Sequence, residues 1–249
     1  MNLQEQRLAI IENNRRDSLI HDQAREFFNA TADRQYSYCF DWLGRPIIQY
    51  PQDIVAFQEI VASSKPDFIV ETGIAHGGSL VLSASLLCLL DIMEGANPHE
   101  SSRKVIGVDI DIRPHNRKAL DEHPLRFKMD LIEGSSIDPS VIEQVKAKIS
   151  DTSRVLVSLD SNHTHDHVLA ELNAYADLTS IGSFCVVFDT VIEDMSKDAF
   201  PDRPWAIGNN PKTAVYEWLK DHPEFVIADE IDNKLLISVA PNGYLKRIA

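Results

Sequence analysis

Cysteine is scarce in this chain, and what there is lies scattered. Cys39, Cys88 and Cys185 are odd in number, far apart and set among apolar neighbours. That argues against a disulfide framework or a thiolate zinc site and fits a reducing cytoplasm. Basic charge is also short, with 24 Lys plus Arg against 38 Asp plus Glu and a formal net charge of −14. Such a balance argues against a broad basic face for nucleic acid. Long apolar runs are missing: the longest, Leu80 to Met93, is broken by serines and too short to span a bilayer. The opening residues, Met1 to Asp17, are charged where a secretory signal would carry an apolar stretch. There is no repeat, no low-complexity tract and no linker that splits the chain. The expectation is a soluble, cytoplasmic α/β protein without membrane insertion, built as one domain plus an extension.

What is present is organised around Pro66 to Met93. Phe68-Ile69-Val70 is an apolar run too short for a helix, and it stops at Glu71. Loop chemistry follows from Thr72 to His76, and Gly77-Gly78-Ser79 opens a long apolar helix. Strand, glycine turn and helix in that order make a ligand-binding crossover: glycine admits close backbone approach, and a helix start offers unpaired N–H groups. The spacing Gly73-x-x-x-Gly77-Gly78 departs from the G-x-G-x-x-G of a dinucleotide fold. An acid at position 71 would repel phosphate and suits a ligand with a free amine, such as S-adenosylmethionine (SAM).

The remaining chain repeats the alternation. Residues 1 to about 35 read as one or two amphipathic helices, and Tyr36 to Tyr50 as an aromatic, turn-rich segment. A helix is expected from Pro51 to about Ser63. Further strands are expected at Val105 to Asp109, Phe127 to Ile132, Arg154 to Asp160 and Phe184 to Phe188. Phe225 to Ile227 and Leu235 to Val239 read as a closing antiparallel pair. Strands alternating with helices imply a mostly parallel sheet with right-handed crossovers. Thr190 to Asn210 has no clear period and carries Glu193, Asp194, Asp198 and Asp202, which reads as a lid.

Acids end four of these strands: Glu71, Asp109, Asp160 and Asp189. Ligands of open α/β sheets bind at that edge, and an acid ending the second strand is placed to hold ribose hydroxyls. Asp160 and Asp189 offer oxygen ligands to Mg2+ or a similar cation, and His163 offers a general base. Methyl transfer from a sulfonium to a hydroxyl uses all three.

The set IVETGIAHGGS, VIGVDIDIR, GSSIDP, LDSNHTHDHVLAEL, VVFDT and NGYLKR resembles the cephalosporin hydroxylase family over about residues 40 to 247. That family consists of class I SAM-dependent methyltransferase-like proteins, including sugar O-methyltransferases. The resemblance implies a Rossmann-like sheet of about seven strands, the last antiparallel, often in homo-oligomers. It divides the chain into an extension over 1–50 and a SAM-binding catalytic domain over 51–249. It implies that Glu71, Gly73, Gly77, Ser79, Asp109 and Ser136 line the SAM site, with Asp160 and Asp189 on the metal and Asp160 and His163 catalytic. The acceptor is then a small molecule or glycan. Members show two consecutive acids before the threonine after the fifth strand, and this chain has Phe188-Asp189-Thr190. Asp189 with waters, Glu193 as a substitute, or no cation at all are the readings left open. The competing functions are a SAM-binding protein without transferase activity, a NAD(P)-dependent oxidoreductase and a hydroxylase.

Overall fold

A computed structural model describes residues 2–196 and 199–249. Asp198 of the expected lid lies outside these residues.

Two helices, α1 (Leu3–Arg16) and α2 (Ser18–Ala32), lead into a small hairpin of β1 (Phe40–Trp42) and β2 (Arg45–Ile47). The chain then alternates α3 (Pro51–Ser64), β3 (Phe68–Thr72), α4 (Gly78–Met93), β4 (Lys104–Asp109), α5 (Pro114–Asp121), β5 (Met129–Glu133), α6 (Pro139–Lys146), β6 (Val155–Leu159), α7 (His165–Tyr175) and β7 (Phe184–Val187). It closes through α8 (Pro211–Trp218), β8 (Phe225–Ile227), α9 (Asp229–Leu235) and β9 (Tyr244–Arg247). The main sheet runs β5-β4-β3-β6-β7-β9-β8, and only β9 is antiparallel to its neighbours. β3 pairs with β4 on one side and β6 on the other, so the order reverses between β3 and β6. A ligand crevice belongs at that switch point, outside the carboxyl ends of the strands.

Each strand feeds both faces of the sheet by its period of two. Ile69 of β3, Leu156 of β6 and Val186 of β7 join a cluster with α3 and α4 residues such as Phe57, Leu80 and Leu87. Val70, Val157 and Val187 join the opposite cluster with Val145, Leu172 and Trp218 of α6, α7 and α8. Among the described residues no helix is long and apolar enough to cross a membrane.

One expected strand is absent. Leu235 ends α9, and Leu236 takes φ 62, a backbone conformation that a branched side chain resists. Ser238 Oγ and the Val239 N–H then turn to the buried carboxylate of Asp53, at 2.6 and 3.0 Å, instead of to a neighbouring strand. Pro241 has no N–H to give a ladder, and Tyr244–Arg247 takes the antiparallel place after the turn at Asn242. The third main strand also starts later than expected. Arg126–Lys128 forms a 3-10 turn before it.

That turn serves a buried charge cluster. Lys128 Nζ reaches Asp91 Oδ2 at 2.6 Å with both side chains sealed from solvent, and Arg103 bridges Asp91 and Glu94 at 2.9 and 2.6 Å. Burial alone would raise the Asp91 carboxyl, but hydrogen bonds from Lys128, Ser101 and Arg103 hold it below the usual range. Removing one partner leaves a buried charge uncompensated, so Lys128→Ala should cost about 3 kcal/mol in urea unfolding. A loss under about 1 kcal/mol would show that Arg103 and Ser101 satisfy Asp91 without help.

Candidate active site

The turn after β3 is strained and tightly braced. Gly73 has φ 87, and a Cβ there would fall 2.0 Å from the Asp160 carbonyl oxygen, so the loops after β3 and β6 touch through backbone. Ala75 also holds a positive φ of 46. Asp109 Oδ2 accepts the Ile74 and Ala75 N–H groups at 2.8 and 3.0 Å, and Oδ1 accepts that of Asp111 at 3.1 Å. Asp109 thus fixes the turn's shape from the end of β4, while remaining partly open to solvent. Arg45 of β2 donates to the His76 carbonyl and to Asn116 Oδ1, and Asn116 in turn donates to the Ala75 carbonyl. Gly77 provides the left-handed start of α4 at φ 85. Gly78 lets the hairpin approach, since a Cβ there would meet the Pro46 oxygen at 2.2 Å.

Glu71 lies beneath this turn, 2% exposed, accepting from Ser79 Oγ at 2.6 Å and Ser83 Oγ at 3.1 Å. Burial outweighs those two bonds and pushes its carboxyl up to about 7. Ser79 at the start of α4 stands in direct contact with it. The sign of the pH effect follows. A carboxyl raised from 4.5 to about 7 makes the folded state hold a proton that the unfolded chain has released, so stability falls as pH rises through that window and levels off above it. The full drop is on the order of 3 kcal/mol. Calorimetric melting from about pH 5 to about pH 8 should show that slope, and Glu71→Gln should flatten its upper part. An unchanged slope in the variant would assign it elsewhere.

Beside the turn, three side chains converge from the ends of β6 and β7. His163 Nε2 lies 3.1 Å from Asp189 Oδ2 and 3.8 Å from Asp160 Oδ1. One ligand atom from each of the three lies within 4.8 Å of the others. All keep between a fifth and a third of the side chain open to solvent. Asp189 is held at φ 56, an uncommon conformation for a non-glycine residue and one that concentrates at working sites. Partial burial and the nearby charges of Asp189, Glu71 and Glu171 drive the Asp160 carboxyl well above the usual range, against a hydrogen bond from Gln49 Nε2 at 3.2 Å. The two carboxylates, with their charge crowded, suit a hard divalent cation that keeps several waters. The residues fit such an ion.

The other predicted residues are placed less simply. Phe188 is buried and walls a cavity of ≈ 20 Å³ with Gln49, Asp53 and Glu71, room for about one water centre. The missing acid is thus replaced by packing. Glu193 is not a substitute ligand. Its Oε2 accepts from the Gly208 N–H at 2.8 Å and from Asn210 Nδ2, which ties the lid to the start of α8. Ser136 Oγ meets His167 Nε2 at 3.1 Å, and that histidine also meets Ser161 Oγ at 3.1 Å, so Ser136 is already engaged. His165 bonds Thr213 and Glu217.

Sequence reasoning missed Gln49, Arg45 and Asn116 and gave Trp205 no role. Trp205, in the loop between β7 and α8, packs its ring on His163, centroids 4.7 Å apart, and Arg203 stacks on that indole at 5.2 Å. Trp205 stands out as the one tryptophan in that loop, which is a signal. The other three carry none.

The family model for rhamnosyl O-methyltransferase/CmcI matches residues 34–248. The rhamnosyl O-methyltransferase of Mycobacterium tuberculosis (strain ATCC 25618 / H37Rv) is 32% identical over 198 residues, covering 78% of this chain and 73% of that protein. Its namesake in Mycobacterium leprae (strain TN) is 28% identical over 210 residues, 83% of this chain and 82% of that protein. Among solved structures, CmcI with Mg and SAM superimposes with a TM-score of 0.56 at 18% identity, covering 85% of this chain and 78% of that one. An O-methyltransferase from Bacillus cereus in complex with S-adenosylhomocysteine (SAH) gives 0.51 at 14% identity, covering 82% and 81%. At those identities the two structures speak for the fold, which is that of the expected methyltransferase sheet. With the sequence match spanning nearly the whole chain, this protein belongs to the rhamnosyl O-methyltransferase/CmcI family.

Proposed function

We propose that this chain transfers the methyl group of SAM to a hydroxyl of a sugar, a rhamnosyl residue first among them. The observation that carries the reading is the cluster of Asp160, His163 and Asp189 set against the glycine turn at the β3/β6 switch point. The relatives' names supply the acceptor class. In this reading Glu71, Gly73, Gly77, Ser79, Asp109 and Ser136 surround the donor, though Glu71 and Ser136 do so through their partners Ser79 and His167.

The reaction is a direct displacement. The acceptor oxygen forms a bond to the methyl carbon as the carbon–sulfur bond breaks, the sulfur keeps that electron pair, and SAH leaves. His163 takes the hydroxyl proton, and Asp189, 3.1 Å away, stabilises the imidazolium that forms. Gln49 holds Asp160 from the opposite side. Asp160 and Asp189 would hold a divalent cation, which orients the acceptor oxygen and lowers its pKa when bound. Holding donor and acceptor in line contributes a further large share of the rate.

The family assignment and the glycine spacing leave the oxidoreductase reading without support. A hydroxylase iron site wants two histidines and one carboxylate, and this cluster has the inverse set. The free cysteines agree with a cytoplasmic enzyme. The exposed apolar residues of α1, Leu3, Leu8 and Ile10, suit the homo-oligomer expected from the family.

Methylation of a rhamnoside, followed with labelled SAM, tests the reading. EDTA is expected to lower the rate at least about tenfold, with recovery on adding Mg2+, and Asp189→Ala should lose both the rate and the recovery. Full activity in EDTA would remove the cation and leave Asp189 as the partner of His163 alone.

A further inference from the structure

A second cavity lies beside the turn that follows Asp189, and none of the residues assigned to the reaction or the donor lines it. Its volume is ≈ 150 Å³, about five times the share of one water in the liquid, against ≈ 20 Å³ for the cavity beside Glu71. One wall is α2, through His21, Arg25, Phe28 and Asn29. The facing wall is Asp194 and Asp232 with the irregular segment 236–241.

Three features say what would fill it. The polar groups alternate in kind, with donors from Arg25 and Asn29 on one side and carboxylates on the other. Charge on the walls is internally answered: Asp194 is paired with Lys212, and a cation and two acids face each other across the space, so no ion of one sign is selected. Phe28 adds an aromatic surface, itself fixed by stacking on Tyr50 at 4.9 Å. A neutral ring bearing several hydroxyls and one apolar face matches such a lining.

Position ties the cavity to the reaction. The 3-10 turn Thr190–Asp194 begins directly after Asp189, and its residues Val191 and Asp194 line the cavity. At a rise of about 2 Å per residue, the far end of that turn lies only about 10 Å from Asp189. The turn is tied to the irregular segment of the facing wall by the Val191 N–H, which donates to the Val239 carbonyl at 3.2 Å.

We propose that this cavity is a glycan subsite, holding the sugar unit next to the one methylated, so that the acceptor is an oligosaccharide or glycoside with at least two sugar units. The inference rests on the sugar-methylation reading and gives α2, whose purpose the sequence left open, a direct part in choosing the acceptor.

The test compares a rhamnosyl disaccharide with propyl rhamnoside, each titrated by calorimetry into the full chain saturated with SAH. The wild-type protein should bind the disaccharide about tenfold more tightly. Ala24 also lines the cavity; Ala24→Phe, which fills it from α2, should erase that advantage, and Asn29→Ala, a smaller change on a half-buried side chain, should reduce it about threefold or more. An advantage that survives in both variants, or is absent in the wild type, overturns the subsite. Transfer to propyl rhamnoside in that event leaves the reaction standing. Selective disaccharide binding with no methyl transfer to either sugar would sink the reaction and keep the subsite.

Discussion

His163→Ala is expected to lower kcat for rhamnoside methylation by about 10²- to 10⁴-fold while leaving SAH affinity within about twofold. The split follows from geometry. His163 stands with Asp160 and Asp189 where the acceptor hydroxyl would lose its proton, whereas the donor turn is braced by Asp109, Arg45 and Asn116. Single-turnover measurements with labelled SAM read the chemical step, and calorimetry with SAH reads the donor site. Retained turnover would hand the base to another group. Loss of SAH binding would mean that the ring shapes the donor pocket, and the assignment would fail in a different way.

Gly73→Ala should also be severe, with kcat/KM falling about 10²-fold or more. A Cβ there lies 2.0 Å from the Asp160 oxygen, so either the turn or the cluster's first carboxylate must move. Gly95→Ala is the matched control: its φ of 75 imposes the same conformational penalty, and nothing lies within 4 Å of the added carbon. The control isolates the backbone cost of about 1–2 kcal/mol. If the two variants lose equal stability and Gly73→Ala keeps its rate, the contact between the two loops has no bearing on catalysis.

Much of this was legible before any coordinates. The βα alternation fixed the parallel sheet, because short apolar runs ending in acids can only be buried strands pointing one way. The convergence of Asp160, His163 and Asp189 followed from the same register. What escaped has a common cause. Ser238 and Val239 sit in an apolar run with strand composition, and the buried Asp53 that captures them is far away in sequence. Arg45, Gln49 and Asn116 hold the site by hydrogen bonds across more than 30 positions, and no local pattern announces such bonds. Glu71 was placed correctly in the fold, but its burial under two serines, and so the upward push on its carboxyl, depends on α4 packing.

The bare α-carbon at position 78 reaches further than its own helix. With the Pro46 oxygen seated where a side chain would grow, the hairpin of residues 40 to 47 acts as a cork in the mouth of the first crossover. A chain begun at residue 51 would uncork it, leaving the His76 carbonyl without Arg45 and the first coil of α4 bare to water. The hairpin is therefore part of the same packed unit as α4, and a transplant of that unit onto another protein must carry residues 40 to 47 along.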